Sequence, residues 1–200
     1  MRKNEDQFAP DYFYHVYNRT NNKDKLFTQP KNYVYFLKKY DQYLSPILVT
    51  YCYCLLGNHF HLLVKVKEEE HLKPFQTGEV FESHKIVSKQ FASFFGTYSK
   101  AFNKQENRTG SLFQRPFKRV KIANESKFAN IIYYIHANPE LHKITNDFKT
   151  YKWSSYQAFL SQQPTKLPRV EILEWFGGKD YFLQFHQEAH IDRTSPWIIE

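Results

Sequence analysis

Residues 51–66, Tyr-Cys-Tyr-Cys-Leu-Leu-Gly-Asn-His-Phe-His-Leu-Leu-Val-Lys-Val, constrain the fold more than any other stretch. Two runs of β-formers flank Gly57-Asn58, and a two-residue loop opening with Gly predicts a hairpin with a type II′ turn. Alternation along a strand points His59 and His61 one way and Phe60, Leu62 and Val64 the other. Pairing Leu56 with His59 sets Cys54 opposite His61 and places Cys52 and Cys54 on the histidines' face. Two imidazoles at the mouth of a hairpin can offer two nitrogen ligands to a divalent ion. A His-x-His also arises where two rings merely sit on a half-exposed face, so spacing alone leaves both readings open. The cysteines add a third, a structural zinc site of two sulfurs and two nitrogens. Ligands at i,i+2 on adjacent strands are cramped for a tetrahedron.

Composition narrows the partner. Nineteen Phe, fifteen Tyr and three Trp in 200 residues can fill a core and can also stack on unpaired bases. The net charge of +8 calls for an anionic partner. Between Glu82 and Ala123 stand nine cations against two carboxylates, nearly all of the excess: Lys85, Lys89, Lys100, Lys104, Arg108, Arg115, Lys118, Arg119 and Lys121. A charge run is usually a solvated face, but one interleaved with Phe and Tyr points to nucleic acid. The only cysteines, Cys52 and Cys54, are poorly placed to bridge each other, so nothing indicates an oxidising compartment. The N-terminus lacks the apolar run of a signal peptide, and no apolar stretch is long enough to span a membrane. The expectation is a cytoplasmic, soluble protein.

Read in order, residues 11–18 form a strand with Phe13, His15 and Tyr17 on one face. Pro30 opens a helix that runs to about Leu44. The hairpin follows, then a loop, then a helix over 83–104 whose lysines stand in i,i+4 pairs such as Lys85 and Lys89. Residues 111–122 read as a strand, with Pro116 demanding an edge or a bulge. Asn124 caps a helix with a core stripe of Phe128, Ile131, Ile132 and Ile135. Tyr134 and Asn138 share a flank of it, Tyr133 points away, and Pro139 stops it at Asn138. A short helix over 151–163 precedes a linker. Residues 1–160 make one domain and 161–200 a small helical extension, docking through Trp175, Phe176, Phe182 and Phe185. Strand, helix, hairpin, helix, strand and helix in that order suit an α+β fold of ferredoxin-like character, an antiparallel sheet with helices packed on one face.

Five segments in this order resemble a known family: Tyr14-His-Val-Tyr-Asn-Arg19, Gly57-Asn-His-Phe-His-Leu-Leu63, Gly110-Ser-Leu-Phe-Gln-Arg115, Tyr134-Ile-His-Ala-Asn-Pro139 and Trp153-Ser-Ser-Tyr156. Together they look like the single-tyrosine HUH transposases, most of all the REP-associated tyrosine transposases and their insertion-sequence relatives. Many members have Pro where this chain has Gly57, which still permits a tight turn. The resemblance implies a nuclease and strand transferase acting on single-stranded DNA beside hairpins. His59 and His61 fall on the family's metal-binding histidines, Tyr134 on its nucleophile and Asn138 on a third metal ligand. Insertion-sequence relatives act as homodimers that exchange helices, whereas REP-associated ones can be monomeric.

The residues suit that chemistry. A tyrosine hydroxyl, with a pKa of about 10, is a poor nucleophile at neutral pH and needs activation. Imidazole plus amide oxygen suits Mg²⁺ or Mn²⁺, the nitrogens favouring Mn²⁺. Arg115, Lys118, Arg119 and Lys121 are expected phosphate contacts, with Arg19, Lys85 and Lys89 as further candidates for DNA binding. The rival is a DNA-hairpin-binding protein that keeps the fold without cleaving.

Overall fold

The structure is a computed structural model and describes residues 6–191. In chain order the elements are β1 (Phe13–Arg19), α1 (Pro30–Tyr43), β2 (Leu48–Leu55), β3 (His59–Val66), the single turn α2 (Glu69–Leu72), α3 (Ser83–Gln105), β4 (Lys118–Ile122), α4 (Glu125–Leu141), α5 (Tyr156–Leu160), α6 (Arg169–Trp175) and α7 (Lys179–Ile191). Sheet order is β2-β3-β1-β4 with every pair antiparallel. That order, on a βαββαβ chain, is ferredoxin-like.

Local chemistry explains the helix starts. Pro30 occupies the first turn of α1, and Asn32 Oδ1 accepts the Gln29 and Thr28 backbone N–H groups. Asn124 caps α4, its Oδ1 accepting from Lys127 N at 2.9 Å.

Two cores flank the sheet. On one face α1 and α3 pack Phe36, Tyr40, Phe91 and Phe94 against Tyr14, Val16, Phe60, Leu62 and Val64. On the other, α4 lays Phe128, Ile131, Ile132 and Ile135 over Cys52, Cys54 and Leu63. Ile172 of α6 and Phe182 of α7 complete that second core, so both helices beyond residue 161 are packed into it.

The hairpin register is the expected one: Cys54 pairs with His61, and Leu56 N donates to His59 O at 2.8 Å. Its turn is not type II′, because neither Gly57 nor Asn58 takes a positive φ. Bonds from elsewhere hold the loop instead: Gly57 O accepts from Leu26 N and Asn58 O from Thr20 N. Nothing lies within 4 Å of a side chain added at Gly57, so the position does not demand glycine.

Three other expectations change. Residues 111–117 are not strand; they meet the end of β1 through a bridge from Thr20 to Phe113 and through Gln114, whose N donates to Arg19 O and whose O accepts from Asn18 Nδ2. Pro116, after a cis peptide bond, has no N–H for a ladder. The segment crosses α3 instead, walling a groove of about 830 Å³ with Phe95, Phe113 and Phe117. Pro139 does not end α4 at Asn138: the helix reaches Leu141, since a proline in the last turn forfeits only one backbone bond. Only Tyr156–Leu160 of the expected 151–163 helix forms, because residues 153–155 bond to the free edge of β2. Leu55 N donates to Trp153 O and Ser155 N to Tyr53 O.

A buried relay joins α4 to α7. His186 Nδ1–H donates to Phe182 O at 2.8 Å, so His186 Nε2 accepts from His136 Nδ1–H at 3.0 Å. His136 Nε2 then accepts from Ser155 Oγ at 2.9 Å. Burial holds both imidazoles neutral, depressing His186 to about 4 and His136 well below 6.5. Unfolded, each takes a proton near its ordinary value; folded, each resists. For His186 stability is therefore full above pH ~6.5 and lost as the pH falls toward ~4, by about 2 kcal/mol at pH ~5, and His136 acts in the same direction. Urea denaturation at about pH 7.5 and about pH 5 reads this, and equal stability at both would contradict the neutral relay.

Candidate metal centre and nucleophile

Register gathers the site on the α4 face of the sheet. On β1 Tyr17 lies opposite His61 and Arg19 opposite His59, while His15 lies opposite Leu63. From above, α4 presents Tyr134 and Asn138 at i and i+4, and His142, the residue that caps its C-terminus, continues the row. The row meets the strand: the Tyr134 ring stands edge-on to His61 at 5.5 Å, and the His142 ring lies 4.6 Å from His59. Tyr134 is 6% exposed, His59 5%, His61 1% and Asn138 0%.

Hydrogen bonds define which nitrogens are available. His59 Nδ1–H donates to Asn58 Oδ1 at 2.6 Å, leaving the Nε2 lone pair. His61 Nδ1 bonds His15 Nε2 at 3.0 Å. Asn138 Nδ2 donates to Tyr134 O at 2.8 Å, leaving Oδ1. Among the described residues, four buried side-chain polar atoms lack a hydrogen-bond partner: His59 Nε2, His61 Nε2, Asn138 Oδ1 and His15 Nδ1. Buried polar atoms are ordinarily satisfied, so their concentration here needs a cause. Two imidazole nitrogens and an amide oxygen form a donor set of a kind that fits a divalent ion.

Electrostatics agree. Burial pushes His59 down to about 3 and His61 well below its ordinary value, with His142 and Arg19 adding positive charge. Neutral imidazole is the form that ligates. The tetrahedral Cys52–Cys54–His59–His61 set does not form. Among the described residues no three His, Cys, Asp or Glu side chains are grouped to hold an ion. Both thiols are buried in the second core, where desolvation raises them away from the thiolate.

The expected DNA contacts are dispersed. Arg19 and Lys118, in register opposite His59 and Tyr17, share the site's face, with Arg19 exposed. Arg115 is exposed on the loop before β4, and Lys85 and Lys89 are exposed on α3 across the sheet, Lys85 paired with Glu82. Arg119 is the correction: it is 8% exposed and turned to the opposite face. Its Nε donates to Asp6 O, and its guanidinium lies over Phe8 and Phe117. An arginine so used carries the fold rather than reaching a phosphate. Lys121 also faces away, its ammonium 3.0 Å from the Tyr12 ring centroid. Tyr133 leaves the site altogether, its hydroxyl 3.0 Å from His190 Nδ1 on α7.

His15, Tyr17, Asn58 and His142 are the residues that sequence reasoning did not place here. Face alternation had already aligned His15 and Tyr17, and the step of four from Asn138 could have indicated His142.

No protein-family model matches the chain, and no curated protein matches it in sequence. Among solved structures, similarity extends over 82% of this chain and 89% of its counterpart, with a TM-score of 0.60 and 14% identity. The counterpart is a REP-associated tyrosine transposase. That transposase was solved bound to a REP hairpin. At this identity the likeness carries the fold alone. No helix among the described residues is long and apolar enough to cross a membrane.

Proposed function

We propose that this chain is a transposase: a metal-dependent enzyme that cuts and rejoins single-stranded DNA beside hairpins with a tyrosine nucleophile. The observation carrying this is that His59 Nε2, His61 Nε2 and Asn138 Oδ1 are buried without hydrogen-bond partners, with the Tyr134 ring edge-on to His61. The hairpin bound by the structurally similar transposase supports the substrate class.

His59 and His61, through Nε2, and Asn138, through Oδ1, would hold a Mg²⁺ or Mn²⁺ ion, whose charge supplies polarisation of the scissile phosphate. Tyr134 supplies the nucleophile. Its phenolic oxygen forms a bond to phosphorus, the bond to the 3′-oxygen breaks, the phenolic proton passes to solvent, and the departing oxygen is protonated. The products are a 5′-phosphotyrosine and a free 3′-hydroxyl. Attack by another 3′-hydroxyl reverses the step and joins strands with no added energy source, because one phosphodiester replaces another. Helix α4, locked to the sheet by Ile131, Ile132 and Ile135, holds the nucleophile beside His61. Arg19 and Lys118 contribute backbone affinity on this face rather than base choice.

The test is covalent trapping. Labelled single-stranded oligonucleotides carrying hairpins from the DNA flanking the gene are mixed with protein and Mn²⁺ or EDTA. A denaturation-resistant protein–DNA band in Mn²⁺, absent in EDTA, is expected. Hairpin binding without any adduct would overturn the nuclease reading in favour of the binding protein.

A further inference from the structure

We infer that His15 is a positioning residue for the candidate metal centre, fixing the tautomer and ring plane of His61 through a hydrogen bond to its Nδ1. The inference rests on the metal reading proposed above.

His15 and His61 are 0% and 1% exposed, and their rings lie nearly parallel, 15° apart, with Nε2 and Nδ1 at 3.0 Å. Tyr17 stacks on both, its centroid 4.9 Å from His15 and 5.6 Å from His61. His61 is thus fixed by a bond along one edge and a ring beside its face. Register makes this possible: on antiparallel β1 and β3, His15 opposes Leu63, so His61 is its diagonal neighbour on the same face.

One proton is shared between the two facing nitrogens. If His15 Nε2 carries it, His61 Nδ1 is the acceptor, and the His61 proton sits on Nε2, where it blocks ligation. If His61 Nδ1 carries it, His15 accepts and His61 Nε2 presents its lone pair. Only the second arrangement makes His61 a ligand. It is the pattern by which a second residue orients a metal-binding imidazole. The partnerless Nδ1 of His15 is informative too. An apolar side chain in this strand would bury no unsatisfied nitrogen, so the imidazole's contribution is at its other end.

The test uses the full chain and reads no cleavage. Mn²⁺ affinity is measured by titration for wild type, His15→Leu and His15→Gln, with thermal melts to follow folding. His15→Leu is expected to weaken Mn²⁺ by about 10–100-fold. His15→Gln, whose amide oxygen can accept from His61 Nδ1–H, is expected to recover most of that loss. Long-range ¹H–¹⁵N spectra of metal-free wild type should show His61 protonated on Nδ1, a readout needing no variant to fold. Equal Mn²⁺ affinity in wild type and His15→Leu, or a His61 proton found on Nε2, would overturn the positioning role alone. Wild type that binds no Mn²⁺ would overturn the metal reading and this inference with it.

Discussion

Tyr134→Phe is expected to abolish the denaturation-resistant protein–DNA adduct and to cut the cleavage rate by more than about 10³-fold, the scale seen when a nucleophile is removed. Tyr133→Phe is expected to leave both intact. The two tyrosines are neighbours on α4, yet the helix turns them roughly 100° apart. Tyr134 stands edge-on to His15 and His61. Tyr133 is directed to α7, near His190 and Phe148. Each change removes one hydroxyl and keeps the ring, so packing survives. Tyr133→Phe gives up one half-buried hydrogen bond, a loss of about 1 kcal/mol in stability with no chemical consequence. Single-turnover cleavage with Mn²⁺, followed by denaturing gels, separates the pair. An adduct surviving in Tyr134→Phe would remove that residue from the mechanism.

The largest expected loss of stability follows Phe36→Ala. Phe36 is 0% exposed and joins α1 to β3 and α3. Its ring lies 4.8 Å from Phe94, 5.2 Å from Tyr98 and 5.3 Å from both Phe27 and Phe60. Truncation leaves a cavity that four rings cannot close without abandoning their own contacts. A cost of about 3–5 kcal/mol is expected, a large share of the stability of an ordinary domain. Val34 on the same helix is 59% exposed, and Val34→Ala should stay within about 0.5 kcal/mol. Urea denaturation of the three proteins measures the contrast. A loss below about 1 kcal/mol for Phe36→Ala would mean the first core is not packed as described. That core lies across the sheet from the candidate metal centre, so Mn²⁺ affinity of the folded fraction should not change.

Period and pairing were legible in the chain. Alternation put His15 and Tyr17 on one face of β1 and His59 and His61 on one face of β3, because successive side chains of a strand point to opposite sides. Helical spacing put Tyr134 and Asn138 on one flank of α4 and Tyr133 on another, again a local consequence of 3.6 residues per turn. The α+β class followed from the order of the elements.

Contacts between distant segments were not legible, since they depend on how faces meet. Nothing near position 119 distinguishes its arginine from Lys118. One residue of register turns Lys118 toward the site and Arg119 into a cradle of Phe8, Phe117 and Asp6 O. The Gly57-Asn58 loop looked like a self-contained turn, but its carbonyls are held by residues 20–27, which relieves it of a positive φ. Residues 153–155 had helical neighbours on both sides, yet β2's unpaired edge offered bonds that a helix end could not match.

The sequence by itself therefore determined which side chains share a face, since the periods of strand and helix are local properties of the backbone. Only the tertiary structure decided which faces oppose each other. It set α4 against β3 so that the Tyr134, Asn138 and His142 row meets His61 and His59. It also left His59 Nε2, His61 Nε2 and Asn138 Oδ1 buried without hydrogen-bond partners, where burial makes an unpaired atom costly.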